Sequence, residues 1–148
     1  MADVTGIAFK GFFGVAGFIA GRFYERRDNR GKIVNEKISN LTSAITSLSD
    51  TATKYYISPM DERNTSAQTA LIGSVLKRIN VELHRTCQVA KADTSDFIGV
   101  VNDFHHAVTA EPFGEINITP INADDSRILE IQNAEEAFIR QLKNLERD

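Results

Sequence analysis

An apolar, glycine-rich segment at residues 4–21 constrains this chain more than any other feature. Its sequence is VTGIAFKGFFGVAGFIAG, and it holds one charged side chain, Lys10. As an α-helix these 18 residues are about 27 Å long, close to the roughly 30 Å thickness of a bilayer's hydrocarbon core. We therefore interpret the segment as a single N-terminal transmembrane helix, with the rest of the chain outside the bilayer.

The charges around this segment bear on the alternatives to a membrane span. A cleaved signal peptide carries its positive charges before the apolar run, whereas here Asp3 precedes the run and the arginines follow it. An amphipathic helix that lies on the membrane surface needs a strongly charged face, which one lysine does not supply. A buried glycine-rich helix in a soluble core stays open as the alternative.

A basic cluster follows the apolar segment directly. Residues 22–32 contain two acidic residues and five basic ones, Arg22, Arg26, Arg27, Arg30 and Lys32. Because positively charged flanks favour the cytoplasmic side of a membrane, we expect a single-pass inner-membrane protein with its N-terminus outside. Residues 1–30 are then an anchor with a basic collar at the surface of the lipid bilayer, and residues 31–148 are a cytoplasmic helical domain.

One face of the predicted span combines a lysine with three glycines. These residues are spaced by four, three and four positions, so they share one side of a helix: Lys10, Gly14, Gly17 and Gly21. Gly17 and Gly21 have the small-xxx-small spacing that lets two membrane helices approach closely. We expect a homo-oligomer through this face, with Lys10 either reaching the membrane interface or lining a pore.

Composition limits the classes of function. The 148 residues include one cysteine, Cys87, which excludes an intramolecular disulfide framework and is typical of a reducing compartment. Residues 111–148 contain nine acidic and four basic residues. Nucleic-acid binding, which needs a basic surface, is therefore not expected. The sequence predicts neither a metal site nor a cofactor.

After Lys32 the sequence has the pattern of a heptad helix. Apolar positions recur every three or four residues at Val34, Ile38, Leu41, Ile45, Leu48, Ala52 and Tyr55. Gly31 marks a joint between span and heptad helix, unless the two are continuous. The opposite face is rich in Ser and Thr and carries one charge, Asp50, between Ile38 and Thr53. Such a face is typical of a surface that contacts neighbouring subunits or lines a water-filled vestibule. Exposure to bulk solvent is the alternative.

Three further helices are predicted in the soluble part. One starts between Asn64 and Ser66 and runs to about Lys91, a second covers Phe97 to about Ala110, and a third is capped near Asp125. The segment 111–126 is irregular. The predicted fold class is therefore all-α, a transmembrane helix followed by a cytoplasmic antiparallel bundle of about four helices.

Arg78 and His84, on the second of these helices, form an Arg-x5-His pattern. This pattern resembles the HEPN ribonucleases. The resemblance implies RNA cleavage, with His84 in proton transfer and Arg78 stabilising charge on the phosphorus. Six residues along a helix separate two side chains by about 120°, so we do not expect an enzyme.

The overall layout, one span joined to a compact helical cytoplasmic domain, resembles small membrane-anchored accessory and effector proteins of prokaryotic antiphage defence. One kind of these combines a membrane pore with a HEPN-like Arg…His pair. The resemblance implies an oligomer that forms a pore or disrupts the membrane. The first alternative is a membrane-tethered scaffold that binds a soluble cytoplasmic protein, and the second is a HEPN-like ribonuclease.

Overall fold

The computed structural model describes the backbone of residues 4–58, 65–115 and 119–146, and the side chains of residues 29–58, 66–115 and 119–146. It contains the helices α1 (Val4–Ile57), α2 (Thr65–Ala90), α3 (Ile98–Thr109) and α4 (Ser126–Asn144), with a 3-10 turn at Thr94–Phe97 directly before α3. No strand occurs in these ranges. The prediction of an all-α fold with about four helices is confirmed.

The helices alternate in direction. Arg30 Nε donates a hydrogen bond of 2.7 Å to the Val89 carbonyl, and Lys37 lies beside Glu82, so α2 runs antiparallel to α1. Helix α4 packs against α1 and against α3. It begins near the C-terminal end of α1, because the Ile121 backbone N–H donates to the Tyr56 carbonyl five residues before α4 starts. The result is an antiparallel bundle in which α1 contacts both α2 and α4.

The heptad positions of α1 form the centre of the core. All seven are buried, namely Val34, Ile38, Leu41, Ile45, Leu48, Ala52 and Tyr55. Burial of aliphatic side chains of this size stabilises a fold by roughly 1.5–3 kcal/mol each. Because α2 and α4 of the same chain cover this side of α1, a contact between copies of the bundle has to use another face.

The Ser/Thr-rich face of α1 divides into two parts. Toward α4, Ser49 is buried and Thr46 Oγ1 donates a hydrogen bond of 2.7 Å to Glu135 Oε1. Away from α4, Ser43 and Ser47 are exposed. The part toward α4 is therefore covered by the same chain and not by a neighbouring subunit, and the other part faces outward.

Helix α1 is continuous through Gly31, so the predicted joint is absent. A Cβ added at Gly31 would have no atom within 4 Å, which fits a position on the open side of a regular helix.

Within the described ranges, no helix is both long and apolar enough to span a membrane. The predicted span, residues 4–21, falls in the part of α1 whose side chains lie outside the described residues. The same is true of its predicted face and of part of the collar, that is Lys10, Gly14, Gly17, Gly21, Arg22, Arg26 and Arg27.

Two aspartates cap helical segments, and Asp125 does so as predicted. The Asp93 carboxylate accepts the Ser95 backbone N–H at 2.9 Å, and this hydrogen bond lowers the pKa of Asp93. The Asp125 carboxylate accepts the Arg127 backbone N–H at 3.0 Å at the start of α4. Each satisfies a helix-end N–H that would otherwise have no partner.

The acidic segment after α3 lies at the C-terminal end of α1. Its Gly114 backbone N–H donates to Tyr55 Oη at 3.0 Å, and the exposed carboxylates there belong to Glu111, Glu115 and Asp124. Arg30 is 25 residues earlier on α1 than Tyr55, which is about 38 Å along a helix. The acidic segment and the basic collar therefore occupy opposite ends of the bundle.

Candidate functional site: a groove between α1 and α2

A surface groove of about 520 Å³ runs between α1 and α2. Its floor is apolar and consists of Leu41, Ala44, Val75 and Ile79, and its rim is polar and consists of Lys37, Asn40, Ser47, Arg78 and Glu82. The volume lies within the range of ligand-binding clefts, and an apolar floor with a few polar groups is their usual lining.

The groove follows from the side chains that α1 and α2 present to each other. Leu41 and Ile79 are buried and join the two helices, whereas Ala44 and Val75 at the same edge are half-buried. Because alanine and valine are short, they leave the space above them open. A helix edge with leucine or phenylalanine at these two positions would fill it.

Two exposed aliphatic side chains extend the apolar floor at its ends. Ile33 lies one helical turn before Lys37 on the same face of α1, and Leu71 lies one turn before Val75 on the same face of α2. Their exposed fractions are 46% and 53%. Since α1 and α2 are antiparallel, Ile33 and Leu71 flank opposite ends of the groove.

The rim charges are unevenly paired. Glu82 lies 3.9 Å from Lys37 Nζ and 2.7 Å from Arg85 Nη1. The Arg78 guanidinium has no hydrogen-bond or ion-pair partner among the residues that the structure describes. The groove thus carries two cations, Lys37 and Arg78, against one carboxylate, although surface pairs of this kind contribute little to stability.

The structure does not bring Arg78 and His84 together. Arg78 lines the groove, whereas His84 lies 3.1 Å from Gln88 Nε2 and 3.4 Å from Thr94 Oγ1. His84 therefore contacts the 3-10 turn that follows α2, and Arg78 faces α1.

The remaining reactive side chains do not assemble into a second site in the described part of the chain. No group of three or more His, Cys, Asp or Glu residues is placed to hold a metal ion there. Cys87 is buried, and burial raises the pKa of its thiol more than the neighbouring Thr94 lowers it. A buried thiol of raised pKa is a poor nucleophile, as expected for a small core residue.

Of the predicted collar, Arg30 and Lys32 belong to the described residues. Lys32 is exposed and Arg30 is half-buried, because the Arg30 guanidinium binds the Val89 carbonyl near the C-terminus of α2. A cation at this end of a helix is favoured by the helix dipole. Arg30 thus links α1 to the C-terminal end of α2, and the exposed Lys32 can contact a membrane surface.

At the opposite end, a buried tyrosine joins three segments. Tyr56 Oη lies 3.0 Å from the carbonyl oxygens of both Val108 and Ala110 and donates its proton to them. Arg127 Nη1 donates to the Ala110 carbonyl at 2.8 Å, and its guanidinium carbon lies 5.2 Å from the Tyr56 ring centroid. These contacts fix the end of α3 and the start of α4 to α1.

We expect Tyr56→Phe to lower the free energy of unfolding by about 1–2 kcal/mol at neutral pH, because carbonyl groups at a buried site lose a donor. Burial raises the pKa of Tyr56 above 10.0, against the opposing effect of Arg127. The folded state therefore holds the phenol proton more tightly than the unfolded state. That part of the stability is fully present below pH 10 and is lost as pH rises through the folded pKa.

Denaturant titrations of parent and Tyr56→Phe between about pH 8 and 11 test this expectation. The difference between the two proteins should shrink as pH rises. Tyr55→Phe is the control, since its hydroxyl accepts from Gly114, an exposed residue whose N–H water can satisfy. A constant difference across the pH range would contradict the assignment.

Sequence reasoning placed Arg78 among the candidate residues but missed the groove. The missed residues were Lys37, Asn40, Ala44, Ser47, Val75 and Glu82. One signal was present: Ile33, Lys37, Asn40, Ala44 and Ser47 recur every three or four residues beside the heptad stripe.

No match to this chain was found among known protein families, curated proteins or solved structures. The groove between α1 and α2 is therefore the candidate site on its geometry alone.

Proposed function

We propose that this chain is a single-pass membrane protein that assembles into an oligomer and makes the bilayer permeable. The observation that carries the proposal is the length of α1. It is helical from Val4 to Ile57, whereas α2 ends at Ala90, beside Arg30. Helix α1 thus continues for 26 residues, about 39 Å, past the end of α2. The apolar part of this extension, residues 4–21, is about 27 Å long as a helix, a length suited to cross a bilayer.

The charges at the two ends of the bundle support an orientation in which the end with Lys32 faces the membrane. Lys32 is exposed at the end from which α1 continues, and the exposed carboxylates of Glu111, Glu115 and Asp124 lie at the far end. An anionic membrane surface attracts lysine and arginine and repels carboxylates. The bundle would therefore stand with its acidic end in the cytoplasm.

The pore part of the proposal depends on Lys10. In an oligomer whose glycine face points inward, one lysine from each copy forms a ring, and such rings select anions. Lys10→Glu should then invert the ion preference, and Lys10→Leu should abolish conductance. Ion flux from liposomes that contain parent, Lys10→Glu or Lys10→Leu protein measures both effects.

The control is Lys32→Glu, which changes the same charge outside the predicted span. It should alter attachment to anionic lipid and leave ion preference unchanged. Equal flux from all four proteins would mean that Lys10 only reaches the membrane interface. Absence of flux from the parent would remove the pore and leave a tether.

A membrane-tethered scaffold is the second candidate, and the groove between α1 and α2 favours it. An apolar floor with exposed aliphatic ends is a surface that proteins use for docking. Defence against phage would be a role for either candidate, and it follows from the resemblance in layout.

A further inference from the structure

The face of the bundle that carries the groove is open. Helix α4 packs on the opposite side of α1, as the Thr46–Glu135 hydrogen bond marks, and no other described helix lies over the groove. The exposed Ile33 and Leu71 and the half-buried Ala44 and Val75 lie on this face. We infer that the groove between α1 and α2 receives the same groove of a second copy, about a two-fold axis parallel to α1.

The positions of Lys37 and Glu82 favour a second copy as the occupant. Lys37 and Glu82 lie at the same level of the antiparallel pair, 3.9 Å apart. Rotation about a two-fold axis parallel to α1 leaves each residue at the same height along the bundle. It places α1 of one copy against α2 of the other. Lys37 of each copy then faces Glu82 of the other, so that these two charges complement each other across the axis, whereas Arg78 has no carboxylate opposite it.

The short apolar residues in the middle of the face also match under this rotation. Ala44 meets Val75 of the second copy in the middle of the face, and Ser47 meets Leu71 at one end. Small residues at Ala44 and Val75 allow the helices to approach closely, and the four helices α1 and α2 of both copies complete a bundle.

The direction of the axis, and with it the pairing of Lys37 with Glu82 across the interface, rests on the proposed function, but the self-association of the apolar face does not. Two chains anchored in one membrane must have α1 helices that run the same way. An axis perpendicular to α1 would place the two N-termini on opposite sides of the dimer. An axis parallel to α1 places both on one side.

The size of the face predicts a weak contact. From Ile33 to Ser47 the groove is about 21 Å long, and two packed helices are about 20 Å wide. A dimer therefore buries on the order of 800 Å² in total, below the roughly 1,200 Å² at which stable interfaces begin and in the range of weak, transient ones. Anchoring both copies in one membrane raises their effective concentration, which compensates for weak affinity.

Complementary charge reversal tests this arrangement. In full-length protein, Lys37→Glu alone and Glu82→Lys alone each place like charges opposite one another across the interface. An equimolar mixture of the two variants restores opposite charges across it, whereas the charges within each chain are unchanged by mixing. We expect each variant alone to be monomeric where the parent is dimeric, and the mixture to recover dimers. Sedimentation equilibrium gives the masses, and Lys143→Glu mixed with Glu136→Lys is the control on α4.

Removal of the apolar ends is the second test. Ile33→Lys with Leu71→Lys should raise the dimer dissociation constant about tenfold or more. Val81→Lys with Ile98→Lys is the matched control, because these side chains are 50% and 57% exposed but lie off the groove. Circular dichroism confirms that each variant is folded.

Three results overturn the inference: a monomeric parent, a mass that neither pair of groove variants changes, or a mixture that stays monomeric. A monomeric parent would mean that the groove binds a helix of another protein. A mass that the groove variants do not change would mean that the copies contact each other through the predicted anchor. A dimer that forms without detergent and responds to these substitutions supports the inference while it contradicts the membrane proposal. Running both tests in the Gly17→Leu/Gly21→Leu background separates the groove from the predicted anchor contact.

Discussion

Deleting residues 1–28 is expected to move this protein from the membrane pellet to the soluble fraction. The predicted span and three of the five collar arginines and lysines lie in the deleted part, where the apolar segment supplies the free energy of insertion. The buried core begins at Val34 and the first described contact to α2 at Arg30. The shortened chain should therefore remain folded and helical.

Carbonate extraction of cells that express the two proteins measures the effect. The full-length chain should resist extraction, and the shortened chain should be released almost completely. Gly17→Leu is the control, since it keeps the segment apolar and should leave insertion intact while it weakens close helix contacts. Full-length protein in the soluble fraction without detergent would contradict the proposed anchor.

Phe138→Ala is expected to lower the free energy of unfolding by about 3–5 kcal/mol. Phe138 is 1% exposed, and its ring lies 5.8 Å from that of Phe104 in an edge-to-face arrangement. Truncation leaves a cavity between α3 and α4 and removes this aromatic contact. A loss of that size is a large share of the 5–15 kcal/mol that stabilise a typical domain.

Leu129→Ala on the same helix is the matched control for Phe138→Ala. Leu129 is 54% exposed, so its truncation should change the free energy of unfolding by no more than about 0.5 kcal/mol. Chemical denaturation followed by circular dichroism compares the two variants. Equal effects would mean that α4 does not pack on α3 through Phe138.

The heptad part of α1 and the helices α2, α3 and α4 were predictable because each has a strong local signal. The spacing of three and four residues from Val34 to Tyr55 predicted a buried stripe, and all of it is buried. Asp125 was predictable as a cap because a carboxylate before a helix accepts its first N–H groups. The prediction of a joint at Gly31 was wrong, since one glycine on an open helix face costs only about 1 kcal/mol and does not end the helix.

The helical pattern of this sequence determined which residues of α1 are apolar and which side of the helix they share. It did not determine what covers that side. A heptad stripe can be buried equally well against another chain or against other helices of the same chain. The tertiary structure decided that α2 and α4 of the same chain cover it. The groove likewise depends on which edges of α1 and α2 meet, since Ala44 and Val75, 31 positions apart, form one floor only after the chain has folded back on itself.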